Sequence, residues 1–398
     1  MTADPCAEAG PLDGVLVIDL SRALSGPHAT MMLGDLGARV IKVEAPRTGD
    51  DSRGWGPPFV GSDGERESTY FLSANRNKES VCLDLKDDAD REVLLGLVRR
   101  ADVLVENFRT GVMERLGLGA EVLAGVNPRL VQLSISGFGH DGPEAGRPGY
   151  DQIAQGEAGL MSLTGSAPGD PQRFGTPICD LLAGMYGAFG VLAALRECQS
   201  TGRGQVVRTS LLAAAVGVHA FQGTRWTVGG EVGQATGNHH SSISPYGLFR
   251  CADGAVQIAV GSESLWQTFC AGFGLDPSQP GMATNAERVG ARAEVVTLVE
   301  KAFTDWTAEE LLSRLRELGV PAGRLRSLDD VYEWEQTRSQ GLVVDVVHET
   351  LGSLQLPGPP LRFFDLTGQE RTRTSHRAPP VLDGDREDVR RLGAEPAP

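Results

Sequence analysis

The chain has 398 residues, room for two or three domains at roughly 150 residues each and for a sizeable core. Its 37 basic and 52 acidic residues leave a formal net charge of −15, and no Lys/Arg-rich run stands out. That balance excludes the footprint of a nucleic-acid binder and requires any phosphate-bearing ligand to be held by a local patch. The six cysteines, at 6, 82, 179, 198, 251 and 270, include no C-x-x-C pair, which points to a reduced, cytoplasmic protein. The N-terminus has neither a basic region nor an apolar stretch to mark it for export. The uncharged run at 181–195 contains three glycines and is shorter than the roughly 20 residues of a bilayer span, so it is expected to be a buried helix and no membrane contact is expected.

In chain order, 14–19 is a short β-branched run, 29–37 has helical character and 38–44 supplies a second strand. Residues 80–85 are strand-like, 87–100 have helical spacing with acids at the start and Arg99-Arg100 at the end, and 101–107 and 130–136 are again strands. Strands alternating with helices predict a parallel sheet covered on both faces, with ligands at the carboxyl ends of the strands. Beyond about 205 the character changes. Residues 209–221 form a second uncharged, Ala-rich helix, followed by a Gly-rich linker through Gly237. A hairpin is expected over 245–260, turning at Ala252-Asp-Gly254, and helices rich in acids and Arg follow over 287–318. The reading is α/β: a large Rossmann-like domain over 1–205, a smaller α+β domain over 225–330, and a Pro-rich C-terminal segment, 335–398, that returns to the large domain with strands at 342–347 and 353–356.

Gly137-Phe-Gly-His-Asp-Gly142 fits G-x-G-x-x-G after a strand, but Pro143, Gly146 and Pro148 block the helix that a dinucleotide fingerprint needs. The loop remains suited to a phosphate or a pantetheine chain. The seven histidines show no metal-binding spacing, and no G-x-S-x-G elbow is present. Asp180 heads the apolar helix after Gly175-Thr-Pro-Ile-Cys. From position alone it is either a helix cap or a carboxylate nucleophile steadied by the helix dipole.

Several segments taken together resemble the family III CoA-transferases, the CaiB/BaiF family, from about Pro11 to Gly393. They are Val17-Ile-Asp-Leu-Ser-Arg22 with Gly26-Pro27, Leu36-Gly-Ala-Arg-Val-Ile-Lys-Val-Glu44, Gly49-Asp50, Arg53-Gly-Trp55 and Asn75-Arg-Asn-Lys78. Further along are Ala101-Asp-Val-Leu-Val-Glu-Asn-Phe108, Ser136-Gly-Phe-Gly139, Gly149-Tyr-Asp-Gln-Ile-Ala-Gln155 and Gly202-Arg-Gly-Gln205. The resemblance implies an acyl-CoA:carboxylate CoA-transferase in which Asp180 attacks the donor thioester to give an aspartyl anhydride. CoA thiolate then forms an aspartyl-CoA thioester, an acceptor carboxylate attacks, and CoA resolves the second anhydride. It also implies an interlocked homodimer, with linkers near 205–225 and 330–345 allowing the crossing. No cofactor or metal is expected: CoA enters as substrate and leaves as product, with a free carboxylic acid as the other partner.

Carried over residue by residue, the CoA site comprises Leu24, Ser25, Leu83, Asp84, Leu85, Lys86, Asn107, Phe108, Arg109, Arg115, Gly149, Tyr150 and Asp151. Lys86, Arg109 and Arg115 form its phosphate-facing patch. Ala45 stands where some members have an arginine, and Arg47 is two residues on as a substitute. The acyl pocket takes Trp55 and Tyr70, with Gly237, Asn238, His239 and His240 as a backbone oxyanion site or as side-chain contacts to an acid group. Leu24 replaces the glutamine of the formyl-CoA transferase branch. Within the superfamily the alternative is an α-methylacyl-CoA racemase, which carries histidine where this chain has Tyr150, and a phenol with a pKa near 10 is a poor base at neutral pH. A non-catalytic acyl-CoA-binding subunit is the third reading, and the presence of Asp180 argues against it.

Overall fold

In a computed structural model, residues 10–62 and 66–395 are described. The chain divides into two compact units. The first comprises the residues up to Leu160, Phe174–Gly229 and those from Glu335 on, and the second comprises Met161–Arg173 and Gly230–Trp334.

The first unit is built on six parallel strands: β1 (Leu16–Asp19), β2 (Arg39–Glu44), β3 (Lys78–Cys82), β4 (Val103–Glu106), β5 (Val131–Ser136) and β6 (Val206–Ser210). Their order is β3-β2-β1-β4-β5-β6, so the winding reverses between β1 and β4. In such a sheet the crevice outside the carboxyl ends of those two strands is where a ligand fits. Successive apolar residues serve opposite faces, as a two-residue period requires. Val17, Val40, Val103, Val105, Leu133 and Ile135 point to one core, with helices α1 (Ser25–Asp35), α3 (Asp151–Glu157), α4 (Ile178–Thr201) and α5 (Leu211–Gly217) contributing the rest of it. Ile18, Ile41, Val81 and Leu104 point to the other, which α2 (Asp88–Val98) and α9 (Arg386–Ala394) complete through Leu94, Leu97 and Val389.

The C-terminal part of the unit adds an antiparallel hairpin, β10 (Val343–His348) and β11 (Gly352–Pro357). It also closes the exposed edge at β3, where the Cys82 N–H donates to Asp383 Oδ1 and the Ser80 N–H to Asp385 Oδ2, each at 2.8 Å. Those carboxylates satisfy backbone groups that a bare edge would offer to another strand. In the second unit β7 (Tyr246–Cys251), β8 (Gly254–Ala259) and β9 (Ala322–Arg324) form an antiparallel sheet ordered β9-β8-β7. Helices α6 (Glu263–Phe273), α7 (Arg292–Phe303) and α8 (Ala308–Glu317) pack an aromatic core that includes Phe249, Trp266, Phe269 and Phe303.

Three local expectations differ from the structure. The stretch expected to begin a helix and a linker after 205 holds the sixth strand, because Val206 to Ser210 pair in register with β5 before α5 opens at Leu211. Residues 161–173 belong to the second unit although they lie within the expected large domain. The helix at Asp180 spans 24 residues, and only one of its faces is buried: Ala183, Gly187, Ala188 and Val191 are covered, while Met185, Tyr186 and Phe189 are exposed, Phe189 by 72%. Its length and hydropathy match a membrane span, but Gly187 and Gly190 fit it tightly against Leu133 of β5 and Val207 of β6.

Candidate active site

The site grows from the loops after β1 and β4. After β1 the chain reaches α1 through Ala23, a non-glycine residue at φ +64, an unfavourable conformation that needs outside support. Support comes from Asp50, whose Oδ1 accepts the Ala23 N–H at 3.0 Å, and from Asn107 after β4. Asn107 pairs twice with the Arg22 backbone, at 2.8 and 2.7 Å, and donates to Ser25 Oγ at 3.3 Å. Leu24 and Ser25 are thereby held, buried, at the switch between β1 and β4.

Beneath them lies a polar knot whose functional relevance the motifs did not disclose. Lys78 Nζ donates to Asp19 Oδ2 at 3.0 Å, to the Pro27 carbonyl at 2.9 Å and to Asn75 Oδ1 at 2.9 Å. Lys42 Nζ lies 2.8 Å from Asp50 Oδ2 and donates to the Ser21 carbonyl at 2.9 Å. Burial alone raises the pKa of Asp19, but Lys78 and Lys42, with Ser21 and Thr30, outweigh it and hold the group at about 2. The Asn75-Arg-Asn-Lys78 segment thus anchors the loop that carries Ser25. A sequence signal existed in the lysines within apolar strands, but their partners lie far along the chain.

Asp180 is in the first turn of α4, not at its cap, which falls on Pro177 and has no side-chain cap bond. Asp151 supplies the cap: its Oδ1 accepts the Cys179 N–H at 2.8 Å and the Asp180 N–H at 3.4 Å, while Oδ2 accepts from Gln155 at 2.7 Å. The Asp180 carboxylate is therefore free of capping duty. Gly184, one turn on, allows α4 to approach α1, since a Cβ there would stand 2.6 Å from the Ser25 carbonyl oxygen. That approach brings Ser25 into hydrogen bond with Asp180. Burial and the Asp151 charge push the Asp180 pKa up to about 7 against this bond. Tyr70 faces the same carboxylates. Burial first, then Asp180, Asp151 and Asp50, raise its phenol to about 12, so it stays a neutral donor. Trp55 packs edge-on against Tyr70 with ring centroids 5.0 Å apart.

The remaining expected contacts fan out along the carboxyl edge. Leu83 is buried with its N–H on the Glu44 carbonyl, Leu85 is half-buried, and Asp84 and Lys86 are exposed in a turn closed by the Lys86 N–H to Asp84 Oδ1. Phe108 is half-buried under the Arg22 guanidinium, 5.4 Å from the ring centroid. Arg109 and Arg115 are exposed, as is Arg47 at φ +70. Gly149 and Tyr150 precede Asp151, with Tyr150 62% exposed at the N-cap of α3.

The turn at 237–240 lies in the second unit. Its expected oxyanion role fails for three of its four N–H groups, because Gly237 donates to the Gly165 carbonyl, His239 to Thr236 and His240 to Tyr246. His239 packs edge-on against Phe249 and His240 stacks on Tyr246, while Arg292 holds the carbonyls of His240 and Ser241 at 3.0 and 2.9 Å. Among the described residues, no group of three or more His, Cys, Asp or Glu is arranged to hold a metal ion. Gly137-Phe-Gly-His-Asp-Gly142 is a loop, and the next helix opens only at Asp151.

A six-stranded parallel sheet with a carboxylate at the crevice of its switch point is an α/β frame with a catalytic group where a ligand fits, and the likeness to known proteins makes it a CoA-transferase. The chain belongs to CoA-transferase family III, whose sequence profile matches residues 12–386. It is 37% identical over 381 residues, 95% of this chain and 85% of the relative, to the succinyl-CoA:glutarate CoA-transferase of Mus musculus. It is 37% identical over 362 residues, 90% of each, to the acetyl-CoA:oxalate CoA-transferase of Acetobacter aceti. A solved CaiB/BaiF family protein from Brucella suis superposes with a TM-score of 0.85 at 36% identity, covering 97% of this chain and all of the other.

Proposed function

We propose that the protein moves CoA from an acyl-CoA to a free carboxylic acid, with a dicarboxylic acid on at least one side, through covalent intermediates on Asp180. The observation that carries this reading is a carboxylate relieved of capping by Asp151, bonded to Ser25 and poised at about 7. At neutral pH a large fraction is ionised and able to attack the thioester carbonyl. Attack expels CoA thiolate and leaves an acyl-aspartyl anhydride. The thiolate adds to the aspartyl carbonyl, the donor acid departs with an oxygen from Asp180, and an aspartyl-CoA thioester remains. The acceptor carboxylate displaces the thiolate to give the second anhydride. Attack on the acceptor's carbonyl then releases the new acyl-CoA and restores the carboxylate.

The names of the two relatives support dicarboxylates, since glutarate and oxalate are both diacids. Tyr70, a neutral donor facing the nucleophile, suits stabilisation of the developing oxyanion. The exposed cations Lys86, Arg109 and Arg115 suit the CoA phosphates. No cofactor takes part. Replacement by asparagine, Asp180→Asn, is expected to leave CoA binding within about twofold while transfer falls by about 10³ or more, a covalent role that general positioning does not match. Retention of substantial transfer rejects the covalent reading.

The chain also forms an interlocked homodimer in this reading. The exposed apolar row of Met185, Tyr186 and Phe189 on α4, with Val216, Phe221 and Trp226 exposed further along the chain, supports this by offering apolar surface for a second subunit to cover. Light scattering is expected to give twice the 42.3 kDa chain mass, and a monomer at micromolar concentration rejects it.

A further inference from the structure

The loop between Gly137 and Gly149 has no part in the chemistry above, yet it is built as a unit. Its ends meet: a Cβ on Gly137 would stand 2.8 Å from the Gly149 backbone, and one on Gly149 equally close to Gly137. Only glycines allow that crossing, which makes the segment a closed Ω-type loop. Past its neck the chain continues directly into Tyr150 and Asp151, the cap of the helix that carries Asp180.

The body of this loop is fastened to the segment after β4 at two places. Thr110 Oγ1 donates to the Ala145 carbonyl at 3.0 Å. The second fastening is a line of hydrogen bonds through two strands. The Ser134 hydroxyl spends its single proton on Glu106 Oε1, and His140 Nε2 lies 2.7 Å from the same hydroxyl oxygen, so the imidazole must be the donor there. The other carboxylate oxygen, Glu106 Oε2, accepts the backbone N–H of Phe108 at 2.8 Å. The line therefore runs from the His140 ring, through Ser134 and the buried Glu106 carboxylate, to the backbone of Phe108. Ser136 Oγ, which accepts the Gly139 N–H at 3.0 Å, lies on the other side of the ring, 3.5 Å from both His140 Nδ1 and the Thr209 carbonyl oxygen. Charged groups around the ring are Arg208 on β6, Asp141 beside it and Glu114 from the helix after the Phe108 loop. Burial keeps the imidazole below its ordinary range and hence neutral.

We propose that His140 is a positioning residue for acyl-CoA: acting through Ser134 and Glu106, it sets the backbone of Asn107, Phe108 and Arg109 against the Gly137–Gly149 loop, so that the CoA-binding segment and the cap of the nucleophile's helix are held in one register. The inference rests on the reading of Asn107, Phe108 and Arg109 as CoA contacts. The role needs a donor at the Nε2 position, and glutamine can supply one whereas leucine cannot. It needs an acceptor facing Phe108, which the Glu106 carboxylate supplies.

The test compares His140→Leu, His140→Gln, Ser134→Ala and Arg109→Ala in the full-length protein. The readouts are steady-state kinetics with succinyl-CoA and glutarate, calorimetric binding of free CoA, and amide hydrogen exchange of the peptide containing Phe108. His140→Leu and Ser134→Ala are expected to raise the KM for succinyl-CoA about tenfold with kcat within about twofold, and to speed exchange at Phe108. His140→Gln is expected to stay within about twofold of the native enzyme in each respect. If Arg109→Ala weakens CoA binding while His140→Leu and Ser134→Ala leave KM and exchange unchanged, the positioning role is overturned and the CoA reading stands. If Arg109→Ala binds CoA as the native chain does, the CoA reading falls and the positioning role falls with it. Should His140→Leu fail to fold, Ser134→Ala decides alone, and equal damage in His140→Gln and His140→Leu also overturns the proposal.

Discussion

Asp151 caps the helix on which Asp180 sits, accepting the N–H groups of Cys179 and Asp180 itself at 2.8 and 3.4 Å. Two carboxylates therefore share one helix start with different tasks. One is spent on backbone donors, and the other is left half-buried against Ser25. The arrangement both frees the second carboxylate and penalises its charge.

Replacing Asp151 with asparagine keeps an oxygen for the cap and removes the neighbouring negative charge. Burial is the larger cause of the raised Asp180 pKa and persists, so the value falls only part of the way from about 7 towards the ordinary carboxylate range. The acidic limb of kcat/KM against pH is expected to move down by about one unit in Asp151→Asn. A limb that does not move shows that the two groups are uncoupled.

The same shift has a consequence for stability. Asp180 titrates at about 7 in the folded chain and near 3.9 when unfolded, so between these values the folded state holds the extra proton. Stability falls as pH rises through that window, because ionising Asp180 opposes folding. After discounting for solvent screening, Asp180→Asn is expected to gain ~1–2 kcal/mol at about pH 8 and nothing at about pH 4, read from urea denaturation. A gain of equal size at both pH values contradicts this assignment.

Gly184 is required by packing rather than by backbone freedom, since a Cβ there meets the Ser25 carbonyl oxygen at 2.6 Å. Gly184→Ala is expected to cost ~1–3 kcal/mol and to lower kcat about tenfold, because α1 and Ser25 must move away from Asp180. Calorimetry and initial rates check both parts. A fully active, equally stable variant removes the argument for close approach.

Asp19 tests the buried knot. Held at about 2, it contributes stability that is present above its unfolded value near 3.9 and is lost as pH falls through the folded one. Asp19→Ala leaves the buried Lys78 ammonium without its carboxylate partner, while Lys42 keeps Asp50, and is expected to cost ~3–5 kcal/mol at neutral pH, enough to lower the yield of folded protein sharply. Denaturant titration of the variant against the native chain measures it.

Much of the first unit was legible because its strands are short β-branched runs in which each residue belongs to one of two cores, and because charge patterning marked α2. Val206 to Ser210 escaped notice since Arg208, Thr209 and Ser210 interrupt the apolar pattern, and only pairing with β5 makes them a strand. Hydropathy could not show that Phe189 faces outward, since it reports how apolar a helix is and not which side is covered. Position alone leaves Asp180 open between cap and nucleophile for a related reason: the capping oxygen comes from Asp151, 29 residues upstream, and local capping rules look only at neighbours. The polar knot escaped as well, since Lys78 finds Asp19 at a separation of 59 residues. The oxyanion expectation for 237–240 lost three of its four N–H groups because the carbonyls of Gly165, Thr236 and Tyr246 accept them, which no local pattern discloses.

Heavy oxygen in the acceptor provides the most direct test of the covalent path. Run turnover with a glutarate labelled in its carboxylates, digest the protein and weigh the peptide that contains Asp180, alongside the released donor acid. Because each cycle returns an acceptor oxygen to this side chain and passes one on to the leaving acid, the peptide and then the acid are both expected to gain label. Label in the released acid with none in the peptide would mean that CoA passes between substrates without ever residing on Asp180.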